Sequence, residues 1–114
     1  MTDSGKRWTI QDREGNAIYL TEERWSHIIE NHPEIESYEP EVKVALARGR
    51  RRQEPLNQRK YRYVMPFSDL PEDYTHIVVI ALFGVVVDIH GESASNNWVA
   101  TAFMKHIRGN KKPK

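Results

Sequence analysis

Residues 77–87, IVVIALFGVVV, form the longest apolar run in the chain, broken only by Gly84. The run falls well short of the about 20 residues that a membrane-spanning helix needs. It is rich in β-branched residues, whose stiff χ1 torsions suit the pleated surface of a strand, so it predicts sheet inside a folded domain. With Phe83 and Gly84 as a two-residue hairpin turn, Leu82 opposes Val85 and Val79 opposes Asp88. Val78, Ile80, Leu82, Val85, Val87 and Ile89 then make one wholly apolar face, expected to meet the helices. Thr75, Ile77, Val79, Ala81, Val86, Asp88 and His90 make the other.

The same period of two continues on either side, giving strands at RRQEPL, KYRYVMPF, THIVVIALF, VVVDIHG and WVATAFMKH, with turns at residues 56–58, SDLPED and ESASNN. In KYRYVMPF, Tyr61, Tyr63, Met65 and Phe67 fall on the core face and Lys60, Arg62 and Val64 on the opposite one. In WVATAFMKH, Trp98, Ala100, Ala102 and Met104 fit the core, leaving Val99, Thr101, Phe103 and Lys105 outside. Arg62, Thr101, Lys105 and the Asp88/His90 pair are therefore expected on one surface. A one-residue slip would reverse any strand's contribution.

Upstream, WTIQDREGNAIYL reads as a small hairpin around Glu14, Gly15 and Asn16. Thr21 can cap a helix over residues 22–32, with Glu22 and Glu23 at its positive end and Pro33 ending it. A second helix is expected from residue 38 or 40 to 48, with Tyr38, Val42, Ala45 and Leu46 as its apolar stripe and Gly49 at its end. Helices followed by strands predict an α+β domain: two N-terminal helices packed on one face of a twisted, mostly antiparallel sheet of four to five strands, with a small N-terminal hairpin. A length of 114 residues suits one domain, placed at 7–107 between a disordered N-terminus, 1–6, and a basic flexible tail, 108–114.

Composition narrows the chemistry. With no cysteine there is no disulfide framework, thiolate metal site or cysteine nucleophile. No apolar leader is visible, so the chain reads as cytoplasmic and not membrane-inserted. No GxSxG or glycine-rich phosphate loop occurs. The net charge is only +1, yet Arg48, Arg50, Arg51, Arg52, Arg59, Lys60 and Arg62 crowd the middle of the chain. Interleaved with Tyr61 and Tyr63, these cations suit contact with phosphates by charge and with bases by stacking. They equally suit a solvated sheet edge that repels other strands.

Two histidines, His27 and His32, lie in RWSHIIENHPEI. Five residues apart, they are about 140° apart around a helix, a poor geometry for a shared metal ion. Asp88 and His90 lack a visible third ligand, so neither metal nor cofactor is expected. His32 continues the apolar stripe of Trp25, Ile28 and Ile29, which makes it a packing residue by pattern; His27 lies off the stripe.

The phrases LTEERWSHIIENHPEI, YRYVMPF, HIVVIAL and WVATAF resemble the small nucleases of the BECR fold, the group of barnase, EndoU, colicin-type and RelE-like ribonucleases, especially its compact phage- and toxin-associated members. The likeness spans residues 20–104. It implies a metal-independent endoribonuclease, without a cofactor, that uses the ribose 2′-hydroxyl to leave a 2′,3′-cyclic phosphate. Carried over by position, it implies catalytic roles for His27, His32, Arg62 and Thr101. Arg50, Arg51, Arg52, Lys60 and Lys105 are expected to bind RNA, and a neutralising antitoxin or immunity protein is an expected partner. FGVVVDIHGESASNN departs from the family plan, and Asp88 and His90 within it have no family counterpart. A non-catalytic RNA- or protein-binding module on the same fold is the alternative reading.

Overall fold

A computed structural model describes residues 5–107. The chain runs β1 (Lys6–Gln11), β2 (Ala17–Thr21), α1 (Glu22–Asn31), a 3-10 segment (Pro33–Tyr38), α2 (Glu39–Arg48), β3 (Arg50–Glu54), β4 (Asn57–Pro66), β5 (His76–Val87) and β6 (Ser93–Lys105). One sheet holds all six strands in the order β1-β2-β6-β5-β4-β3. The α+β class agrees with expectation, but the N-terminal hairpin belongs to the main sheet and β2 pairs with β6 in parallel, so the sheet is mixed. Of the expected tails, residues 1–4 and 108–114 lie outside the described residues, while Lys6 opens β1. No helix among the described residues is long and apolar enough to cross a membrane.

The N-terminal elements follow from local chemistry. Gly15 adopts φ +89°, which lets the β1–β2 turn close. The Thr21 hydroxyl accepts the Arg24 amide at 3.0 Å, satisfying a first-turn donor of α1. Pro33 stops that helix and opens the 3-10 segment, which plugs Ile35 into the core. A Cβ on Gly49 would stand 2.3 Å from the Ala45 carbonyl oxygen, so glycine is needed there for a close approach as α2 gives way to β3. Arg7 clamps this layer by donating to Glu39 at 2.5 Å and to Glu22 at 2.8 Å.

Two expectations about the strands are overturned. β5 passes through Phe83 and Gly84 without turning and ends at Val87. Gly84 serves packing: a Cβ there would stand 3.0 Å from Arg59 Nη2 and 3.5 Å from the Trp98 ring. The turn comes at residues 88–92, where Asp88 Oδ1 accepts the amides of His90 and Glu92 and Gly91 takes φ +80°. The apolar run is thus one strand of a long β5–β6 ribbon, whose far end exposes Val85, Val87 and Ile89.

The helix-facing side of β5 is also the opposite of that expected. Tyr63 does face the helices, and its partner Val79 must share that side, together with Ile77 and Ala81. Val78, Ile80 and Leu82 therefore lie on the open face. On β6 a bulge opposite Ile80/Ala81 inserts Ala100, so Val99 and Ala102 both enter the core. Trp98 turns to the open face as a result, while Thr101, Phe103 and Lys105 stand there as expected.

A buried polar knot joins the hairpin to the sheet. Asp12 accepts the Tyr63 hydroxyl at 2.5 Å and the amides of Glu14 and Asn16 at 3.0 and 2.8 Å. Burial opposes ionisation of Asp12, but the bonds from Tyr63 and Asn16 prevail and hold its carboxyl below the ordinary value. Its contribution is therefore complete above about pH 4 and is lost as pH falls through the folded value. Tyr63→Phe should cost about 1.5–3 kcal/mol in urea denaturation near neutral pH and flatten the loss of stability on acidification. An unchanged denaturation midpoint would show that the knot contributes nothing.

Candidate functional site

Residues directly opposed across strands point to the same face, so the register lays out the open face in rows. Arg52, Arg62, Ile80 and Thr101 form one row across β3, β4, β5 and β6. Arg50, Val64, Val78 and Phe103 form the next, followed by Pro66, His76 and Lys105. On the other side of the Arg62 row stand Lys60, Leu82 and Trp98, extended onto β2 by Tyr19. The floor is apolar, with Val78 at 0% and Ile80 at 5% exposure, and its rim is basic.

The helical edge of this face is set by a short strand contact. β2 meets β6 at Ile18↔Asn97 and Tyr19↔Trp98. Buried Asn97 secures the junction, donating to the Ala17 carbonyl at 3.0 Å and accepting the Gly84 amide at 3.3 Å. The chain then leaves as α1 and follows the stretch of β6 that β2 no longer covers.

Arg24, in the first turn of α1, lines a cleft of about 230 Å³ with Tyr19, Asn96 and Trp98. His32, at the helix end, sets its ring 5.6 Å from that of Phe103. His27 lies one turn beyond Arg24 on α1. It is 54% exposed, with Nδ1 3.9 Å from Glu30.

The structure thus collects Arg62, Thr101, Arg50, Arg52, Lys60 and Lys105 on the open face, with His32 against Phe103 at its β6 edge, while His27 is exposed on α1 beside Glu30. It separates the rest. Arg51 faces the opposite way, because its partner is the core residue Tyr63; its guanidinium lies 4.4 Å from the Tyr61 ring centre and 3.7 Å from Glu14. Asp88 and His90 sit in the ribbon turn, where Asp88 organises the backbone. Among the described residues no three His, Asp or Glu side chains gather closely enough to hold a metal ion.

Charge on the face is uneven. Arg62 donates to Glu54 at 3.1 Å, whereas Arg50, Arg52, Lys60 and Lys105 have no carboxylate partner among the described residues. Sequence reasoning missed Tyr19, Arg24 and His76 and turned Trp98 the wrong way. Trp98 depends on the Ala100 bulge, which has no signature in WVATAF, and Tyr19 and Arg24 depend on the β2–β6 contact. His76 shares a face with Val78 and Ile80, and alternation alone could not assign that face to the open side.

No family model, curated protein or solved structure matches the chain.

Asn97→Ala leaves the Gly84 amide and the Ala17 carbonyl without their partner, which should cost about 1–3 kcal/mol. Equilibrium denaturation should show that loss, and hydrogen exchange should quicken in α1 relative to β4. Uniform exchange changes would contradict the positioning role of Asn97.

Proposed function

We propose that the open face binds single-stranded RNA and cleaves it as a metal-independent endoribonuclease of the BECR type. The observation that carries this reading is the shared row of Arg62 and Thr101, with the His32 ring beside Phe103 on the same strand as Thr101. An apolar floor with Trp98, Phe103 and Tyr19 suits unstacked bases, and the unpaired cations around it suit the phosphate backbone.

In the proposed reaction the ribose 2′-oxygen bonds to the adjacent phosphorus and the bond from phosphorus to the 5′-oxygen breaks. One histidine takes the proton of the 2′-hydroxyl and the other supplies a proton to the departing 5′-oxygen, since an imidazole can accept or donate a proton in place. Arg62 offers a planar fork to the non-bridging oxygens of the crowded phosphorane, and the Thr101 hydroxyl donates beside it. Glu54 pre-positions the guanidinium and gives way when phosphate arrives. A cell making such an enzyme needs an inhibitor, and this basic face is the surface that a neutralising protein would cover.

Cleavage of varied RNAs in the presence of a chelator should yield 2′,3′-cyclic phosphate ends, and expression without an inhibitor should arrest growth. Arg62→Ala should slow cleavage about 100- to 1000-fold, because it removes a donor that strengthens in the transition state. Cleavage abolished by chelator would sink the metal-independent mechanism. Binding without cleavage would make the chain an RNA-binding module.

A further inference from the structure

A cavity of about 460 Å³ opens where α2 gives way to β3, lined in part by Arg48, Gly49, Arg50, Val64, Pro66 and His76. Among the described residues no acidic side chain lines it. Neither Arg48 nor Arg50 has an ion-pair partner among the described residues. His76 is only 8% exposed, and its Nδ1 lies 2.6 Å from the Thr75 hydroxyl.

The surrounding bonds select a tautomer. Thr75 Oγ1 accepts the Ile107 amide at 3.0 Å and lies 3.4 Å from the Lys105 carbonyl, a long contact. Its proton therefore serves the much shorter bond to Nδ1, which leaves the ring proton on Nε2. Nε2 has no partner among the described residues. Since no buried side-chain nitrogen or oxygen there lacks one, Nε2 is not fully buried, and the ring lines the cavity. Burial first, and His106 second, hold the imidazole below its ordinary value. Near neutral pH it is a neutral donor, and the positive charge comes from the arginines.

We infer that this cavity is a second phosphate subsite, in which His76 Nε2–H, Arg48 and Arg50 hold a phosphate group of the RNA strand two rows away from the reacting one. The inference rests on the proposed RNA-directed role of the open face. His76 lies on the same face of β5 as Ile80, four residues and about 13 Å along the strand. Between them, the half-buried Val64 and Phe103 offer an uncharged surface on which a nucleoside can lie. The strand is held by phosphate at two points and by stacking between them, which favours oligonucleotides over dinucleotides.

The test compares KM for a dinucleotide and a tetranucleotide in the wild type and in Arg50→Ala, a substitution at an exposed position. The variant should raise KM for the tetranucleotide about tenfold more than for the dinucleotide, the scale of one lost charge-assisted hydrogen bond. His76→Gln, which keeps an N–H donor, should do less harm than His76→Phe. Equal effects on both substrates would overturn the subsite. If the chain cleaves no RNA, an imidazole nitrogen NMR titration with a 2′-O-methyl tetranucleotide separates the two ideas. A His76 Nε2 shift lost in Arg50→Ala retains the subsite without the nuclease reading, and no shift removes it.

Discussion

The side-chain amide of Asn97 decides where the first helix goes. Buried at the crossing of β2, β6 and β5, it donates to Ala17 and accepts from Gly84. It thereby secures a parallel contact of two residue pairs between β2 and β6. Because that contact is short, the chain passes directly from β2 into α1 beside the uncovered part of β6. His32, at the end of that helix, is drawn against Phe103 at the sheet edge in this way, although the helix packs on the other face. A longer parallel pairing would have kept α1 away from Thr101 and Phe103.

The bulge at Ala100 completes the arrangement. It allows Val99 and Ala102 to fill the core on either side of an inserted residue while Trp98, Thr101 and Phe103 point away from it. The open face then combines a dry floor with cations that lack carboxylate partners, a combination that disfavours a purely solvated role. Arg62 is the exception, held by Glu54. The ion pair fixes the direction of the guanidinium fork, and because it is partly exposed it is weak.

Much of this was legible in the sequence where local chemistry governs. Thr21 and Pro33 mark the bounds of α1, Gly15 marks the hairpin, and alternation in KYRYVMPF places Arg62 opposite Tyr63. Thr101 and Lys105 reach the expected face for the same reason. Features that depend on pairing across the sheet were not legible. Gly84 carries a turn-like signal, yet it is glycine because Arg59 and Trp98 crowd its Cβ position. Once β5 is one strand, Asp88 and His90 move to the end of the ribbon. Both faces of β5 are apolar, so alternation could not say which met the helices, and only the Tyr63↔Val79 pairing resolves it. Arg51 was grouped with its neighbours by composition, but strand alternation places it on the other side from Arg50 and Arg52.

On the proposed function, the reacting phosphate lies beside Arg62 and Thr101 on the open face. A crystal structure with an RNA oligonucleotide carrying a 2′-O-methyl group at the cleavage position, which removes the nucleophile, tests it most directly. The predicted result is a phosphate between the Arg62 guanidinium and the Thr101 hydroxyl, with the sugar toward the β6 edge and His32. An oligonucleotide bound on the helical side of the sheet, or on the open face with no phosphate at Arg62 and Thr101, would contradict it.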